Sequence, residues 1–149
     1  MWLADVKAKA KRKNQILFSK DSLLLTDLCQ LIAQANRRAL ILWALELAEE
    51  TARELTGKYP EDHRPLDAIA ASRAWAAGEI KMPIAKQALL NCHAMAKELE
   101  SPADSARCHA VGQACSVVHT AGHALGYPMY ALTAIVLEHG LDDCRESVE

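Results

Sequence analysis

Residues 115–126 read Cys-Ser-Val-Val-His-Thr-Ala-Gly-His-Ala-Leu-Gly, and their periodicity decides how the rest of the chain is understood. On a helix, His119 and His123 stand one turn apart. At about 100° per residue, Cys108, Gly112, Cys115, His119, Gly122, His123 and Gly126 line one face of small residues and histidine. Val111, Ala114, Val118, Ala121 and Leu125 line a second, apolar face, and His109, Gln113, Ser116 and Thr120 fall on the side expected to meet water. The pattern predicts one long helix, capped at Ser101-Pro102-Ala103-Asp104 and broken at Tyr127-Pro128, where proline lacks a donor and clashes one turn back.

Two uses of this face compete. The favoured one is a tight seam, with glycine and cysteine admitting a neighbouring helix and His119 held by a hydrogen bond inside the contact. The alternative is a metal-binding or hydrolytic centre on His119 and His123, with His93 as third ligand and Cys115, Cys108 or Asp62 completing it. Two histidines fall short of the three or four protein ligands that a zinc ion takes, and residue 120 is Thr, so His-Glu-x-x-His is absent. No cofactor is expected, with a transition metal as the minority case. Cys115 and His119 also have the spacing of a nucleophile and its base, but a small buried cysteine is the ordinary role for such a residue.

Outward from this stretch the chain reads as helices throughout. A short helix fits residues 2–13. Asp21 or Ser22 caps a helix from Leu23 to Gln34, with Leu24, Leu28, Leu31 and Ile32 as its buried stripe. Asn36 caps the next, to Thr56; between Ala39 and Ala48 only Glu46 is charged, which marks it as the central helix. After the loop 57–65, Pro65 suits a first helical turn, and that helix runs to Ala77 before Gly78. Ile84, Ala88, Cys92, Met95 and Leu99 define another, and Met129 to His139 the last, ended by Gly140. The expected fold is one all-α domain, a bundle of six to seven helices over 1–149.

Composition agrees. The chain has 149 residues, half of them apolar but few of them aromatic, which favours closely spaced helices over a β-sandwich. A net charge of −2 gives no case for nucleic acid. The ends differ sharply: Lys7, Lys9, Lys11, Arg12, Lys13 and Lys20 face only Asp5, while Glu138, Asp142, Asp143, Glu146 and Glu149 face only Arg145. The favoured reading is a solvated basic arm (1–20) and a fraying acidic tail (141–149), able to pair with each other in one molecule or between two; the other is a basic arm for an acidic partner. Five cysteines without a Cys-x-x-Cys pair, and no signal-peptide pattern, point to reduced thiols in the cytoplasm. No apolar run approaches a membrane span.

Two further places carry chemistry. Asp62-His63-Arg64-Pro65-Leu66-Asp67 sets four ionisable side chains around a proline. Arg73 falls on the apolar side of its helix, so a buried, paired guanidinium is expected, with Asp62, Asp67, Glu46 or Glu79 as partner. Trp75, on the opposite side, is either covered or an interface anchor.

Taken together, HRPLDAIAASRAWAAGEI (63–80), Cys-His-Ala (92–94), GQACSVVHTAGHALGYPMYALTAI (112–135) and the Trp-Ala-Leu-Glu-Leu-Ala-Glu segment at 43–49 resemble a family of small bacterial and archaeal proteins labelled putative immunity proteins. The resemblance implies an all-helical fold and a protein that neutralises a bacterial toxin by binding it, without catalysis. Its pattern falls here on Asp62, Arg64, Arg73, Trp75, His93, His119, His123 and Tyr130, of which Asp62, Arg64, Arg73, Trp75 and Tyr130 are the expected binding residues. This chain departs from it in Cys92, Cys108 and Cys115, where small residues are expected, and in the basic arm, which it does not cover. A homo-oligomer with the glycine face as subunit seam is a third reading.

Overall fold

A computed structural model describes residues 2–149, and for Ala121 and Gly122 the backbone only. Among the described residues eight α-helices follow one another: α1 (Trp2–Lys11), α2 (Thr26–Gln34), α3 (Arg37–Lys58), α4 (Arg64–Ala76), α5 (Met82–Glu98), α6 (Pro102–Ser116), α7 (Gly126–His139) and α8 (Arg145–Val148). Single 3-10 turns precede α2 (Leu23–Leu25) and α7 (Ala121–Leu125), and there is no strand among the described residues. The fold class is the expected one, with α8 the helix that was not expected. No described helix is long and apolar enough to cross a membrane.

Local chemistry explains where the helices start and stop. Asn36 Oδ1 accepts from the Ala39 amide, and Ser101 Oγ from that of Asp104, so α3 and α6 begin where their caps stand. Pro65, Pro83 and Pro102 all sit in first turns, where a missing N–H costs nothing. Gly78 and Gly140 follow α4 and α7 with φ of +78° and +84°, a conformation that a side chain resists.

The expected long helix stops short, and the last helix starts earlier than expected. α6 ends at Ser116, a turn covers 117–119, Thr120 is extended, and α7 starts afresh at Gly126. Pro128 accounts for the restart: its ring clashes with helical backbone one turn back, at Ala124, and it is tolerated in the first turn of α7. The branched residues Val117, Val118 and Thr120 hold the preceding turn weakly in helix. His119 and His123 are therefore not stacked on one helical face.

The centre is also displaced from its expected position. α3 buries only one side, Leu40, Ala44, Leu45, Ala48, Ala52 and Leu55, while Leu42 is 60% exposed. α6 is the hub, packed by α3, α4, α5 and α7 and buried at Ala103, Ala106, Cys108, Ala110, Val111, Gly112, Ala114 and Cys115. Its small side chains are what let four helices approach it. α2 buries no residue fully, and Leu31 of its expected stripe is 65% exposed.

The two chain ends fold together rather than fraying. Trp2, Val6, Leu17, Phe18, Leu25, Val136 and Cys144 form a second core on the outer side of α7. Trp2 Nε1 donates to Glu149 Oε1 (3.0 Å), Arg145 lies 6.0 Å from the Trp2 ring centre, and Lys7 pairs with Asp142 (3.8 Å). The Leu17 amide donates to Thr133 Oγ1 (3.0 Å), tying the segment after α1 to the middle of α7.

Candidate functional site

Where α5, α6 and α7 meet, three of the six histidines gather. His93 (α5) and His109 (α6) face each other with Nδ1 atoms 2.7 Å apart, one nitrogen donating to the lone pair of the other. Such a bond requires at least one neutral ring. The His93 ring lies against Gly112, where a Cβ would come within 2.4 Å of Nε2. On its other side His109 meets the Tyr130 ring, centres 5.1 Å apart. One turn along α6, Gln113 Oε1 pairs with His123 Nδ1 (3.0 Å), and its side chain fills the space that a Cβ on Gly126 would need. The two glycines thus act as seats for side chains that belong to the site.

Burial favours the neutral forms of His93 and His109. Burial, then the positive charges of His109, His123 and Lys97, push His93 down to about 4. His109 is lowered by burial and by Lys97. His109 was expected on the wet side; it is half-buried, because α7 packs over that flank of α6.

The three expected metal ligands are held by different partners: His93 by His109, His123 by Gln113, and His119 by Trp75, whose ring centre lies 4.7 Å from its own. Among the described residues no group of three His, Cys, Asp or Glu could hold a metal ion. Both ring nitrogens of His119 are shielded from water and have no hydrogen-bond partner, contrary to the expected bond. Burial, Lys86, Arg37 and His123 lower its pKa. Nor does His119 serve Cys115 as a base; the thiol is buried and pushed up to about 11 by that burial, so it stays protonated at neutral pH. Cys108 rises to about 12 and Cys92 rises too, both chiefly by burial.

The five expected binding residues occupy four separate places. Arg64 forks onto Asp62, with Nε at 2.9 Å and Nη2 at 2.6 Å, and reaches Glu98 through Nη1. The Arg64 hydrogen bonds hold Asp62 below the usual carboxylate range. Arg73 is exposed rather than buried and pairs with Glu49 (2.8 Å), none of the four acids expected. The Arg73 hydrogen bond is the main cause of a lowered Glu49 pKa. Trp75 is half-buried on His119, and only Tyr130 belongs to the histidine cluster.

The buried arginine is Arg107, missed in the sequence. Arg107 Nη1 donates to Asp104 Oδ1 (2.8 Å) and Nη2 to Glu138 (2.8 Å); Asp104 also accepts from Lys58 (3.1 Å) and from the Tyr59 hydroxyl (2.7 Å). Burial alone would raise Asp104, but its three donors outweigh it and the pKa falls. Tyr59 rises to about 12, mainly through that hydrogen bond. A signal existed: on the wheel used above, Asp104 and Arg107 lie on the two contact faces, where a charge needs a partner.

No curated protein and no solved structure matches the chain. A family model described as Imm-5 like putative immunity protein matches residues 30–149, from α2 to the C-terminal end, and the chain belongs to that family.

Proposed function

We propose that the protein is an immunity-type inhibitor that neutralises a partner toxin by occupying its surface, with no chemistry of its own. Membership of the family over residues 30–149 carries this reading. The geometry is in keeping with it: His93 and His109 are matched to each other, His123 to Gln113 and His119 to Trp75, and burial keeps the Cys92, Cys108 and Cys115 thiols protonated. These are features of a rigid scaffold, and a preorganised surface binds with little ordering cost.

The test is growth rescue, with the chain co-expressed in cells alongside each protein encoded near its gene that by itself arrests growth. The expected result is restored growth, a stoichiometric complex in sizing, and a toxin of unchanged mass. A toxin left cleaved or modified would show catalysis instead, and growth arrest without a complex would end the reading.

A further inference from the structure

One cavity, of about 520 Å³, lies between α6, α7 and the segment that follows α1, and is lined by Lys13, Gln15, Lys97, His109, Tyr130 and Leu137 among others. A second, of about 540 Å³, shares Asn14 with it as a lining residue and is lined also by Lys20, Gln113 and His123. Neither is lined by a single aspartate or glutamate. Among the described residues, no carboxylate stands within ion-pair distance of Lys13, Lys20 or Lys97. In a chain with net charge −2, an acid-free groove with three unpaired lysines is a local reversal of sign.

Lys13 adds an independent observation. It ends α1 with φ +61°, the one described non-glycine residue with positive φ. Its amide donates to Ala10 O and that of Asn14 to Lys9 O, the paired bonds of a helix stop that ordinarily uses glycine. A lysine there costs backbone energy that glycine would not. Opposite it, Tyr130 and Leu137 (43% exposed) give the same cavity an apolar wall.

Resting on the proposed function, we infer that this groove receives an acidic segment of the partner protein, with Lys13 and Lys97 taking its carboxylates and Tyr130 and Leu137 an apolar side chain between them. The apolar wall favours a peptide, which carries apolar side chains between its carboxylates, over a nucleic acid, whose affinity comes mainly from phosphate contacts. Residues 13–15, one wall of the groove, lie outside the stretch that the family model matches.

The probe is a fluorescein-labelled dodecapeptide alternating Glu with Leu, titrated by anisotropy with the full-length protein at low salt. Lys13 and Lys97 are exposed, so K13E/K97E keeps the fold, as far-UV circular dichroism checks, and K13M/K97M separates charge loss from repulsion. The expected result is saturable binding that weakens with added salt, falls about tenfold or more in K13M/K97M, and falls further in K13E/K97E. Absent binding, binding indifferent to both variants, or tighter binding of a single-stranded oligonucleotide of equal charge would each overturn the inference. Because the probe needs no toxin, its failure is distinct from a failure of growth rescue, which tests the immunity reading alone.

Discussion

Gly112→Ala is a substitution whose sign the structure decides. Gly112 lies inside α6, where alanine ordinarily stabilises a helix by ~1 kcal/mol over glycine. Here a Cβ would come within 2.4 Å, 2.5 Å and 2.8 Å of three His93 ring atoms. The ring must swing away, which costs ~1–3 kcal/mol of overpacking and forfeits the bond to His109, worth ~1 kcal/mol. The net expectation is destabilisation by ~1–3 kcal/mol. With a urea m-value of about 2 kcal/mol/M, the unfolding midpoint followed by circular dichroism falls by roughly 0.5–1.5 M. His93→Ala removes the obstacle, so in that background G112A recovers part or all of its ordinary helix gain. The double-mutant cycle then gives a coupling of ~2 kcal/mol. An unchanged or raised midpoint for G112A alone would refute the seating of His93 on Gly112.

Three further outcomes follow from the same structure. Folding lowers His93 from 6.5 to about 4, so the native state binds fewer protons than the unfolded chain between those values; its contribution is whole above pH ~6.5 and is lost as pH falls towards 4. A rigid ring would lose ~3 kcal/mol, and partial exposure trims this to roughly 1–2; urea midpoints at pH 7.5 and 5 should converge in H93Q more than in the wild type, and equal slopes would count against it. Asp104→Ala removes the acceptor that Arg107, Lys58 and Tyr59 share, leaving Glu138 to the two cations, and should cost ~3 kcal/mol in the same assay, against ~1 for Tyr59→Phe, which removes a single bond; similar costs would mean the network is not centred on Asp104. Cys92, Cys108, Cys115 and Cys144 are buried and Cys29 half-buried, so a thiol reagent at neutral pH should titrate one cysteine in the native protein and five in denaturant; fast labelling of more than one native thiol would contradict the packing of α6.

Sequence alone determined the helices and most of their ends, because those depend on neighbours a few residues away. Asn36 and Ser101 cap, Pro65 and Pro102 open, and Gly78 and Gly140 close, wherever the helices later pack. Periodicity also identified α6 as a helix with two contact faces, and the small-residue pattern is what makes it the hub. The family resemblance was likewise legible in short motifs.

Tertiary structure decided what the charged and titratable groups do. The wheel extended across Ser116 stacked His119 on His123, whereas Pro128 restarts the chain and sends one ring to Trp75 and the other to Gln113. Arg73 was placed inside by its own helix, but α3 leaves that side open and offers Glu49 at its edge. The His93–His109 pair joins residues sixteen apart on different helices. The lysine groove joins α1's end to α5 and α7, and no local period records either. Helix formation is set by bonds within a turn or two of the chain, whereas pairing and burial of polar groups depend on which surfaces are brought together across it, and that depends on the whole fold.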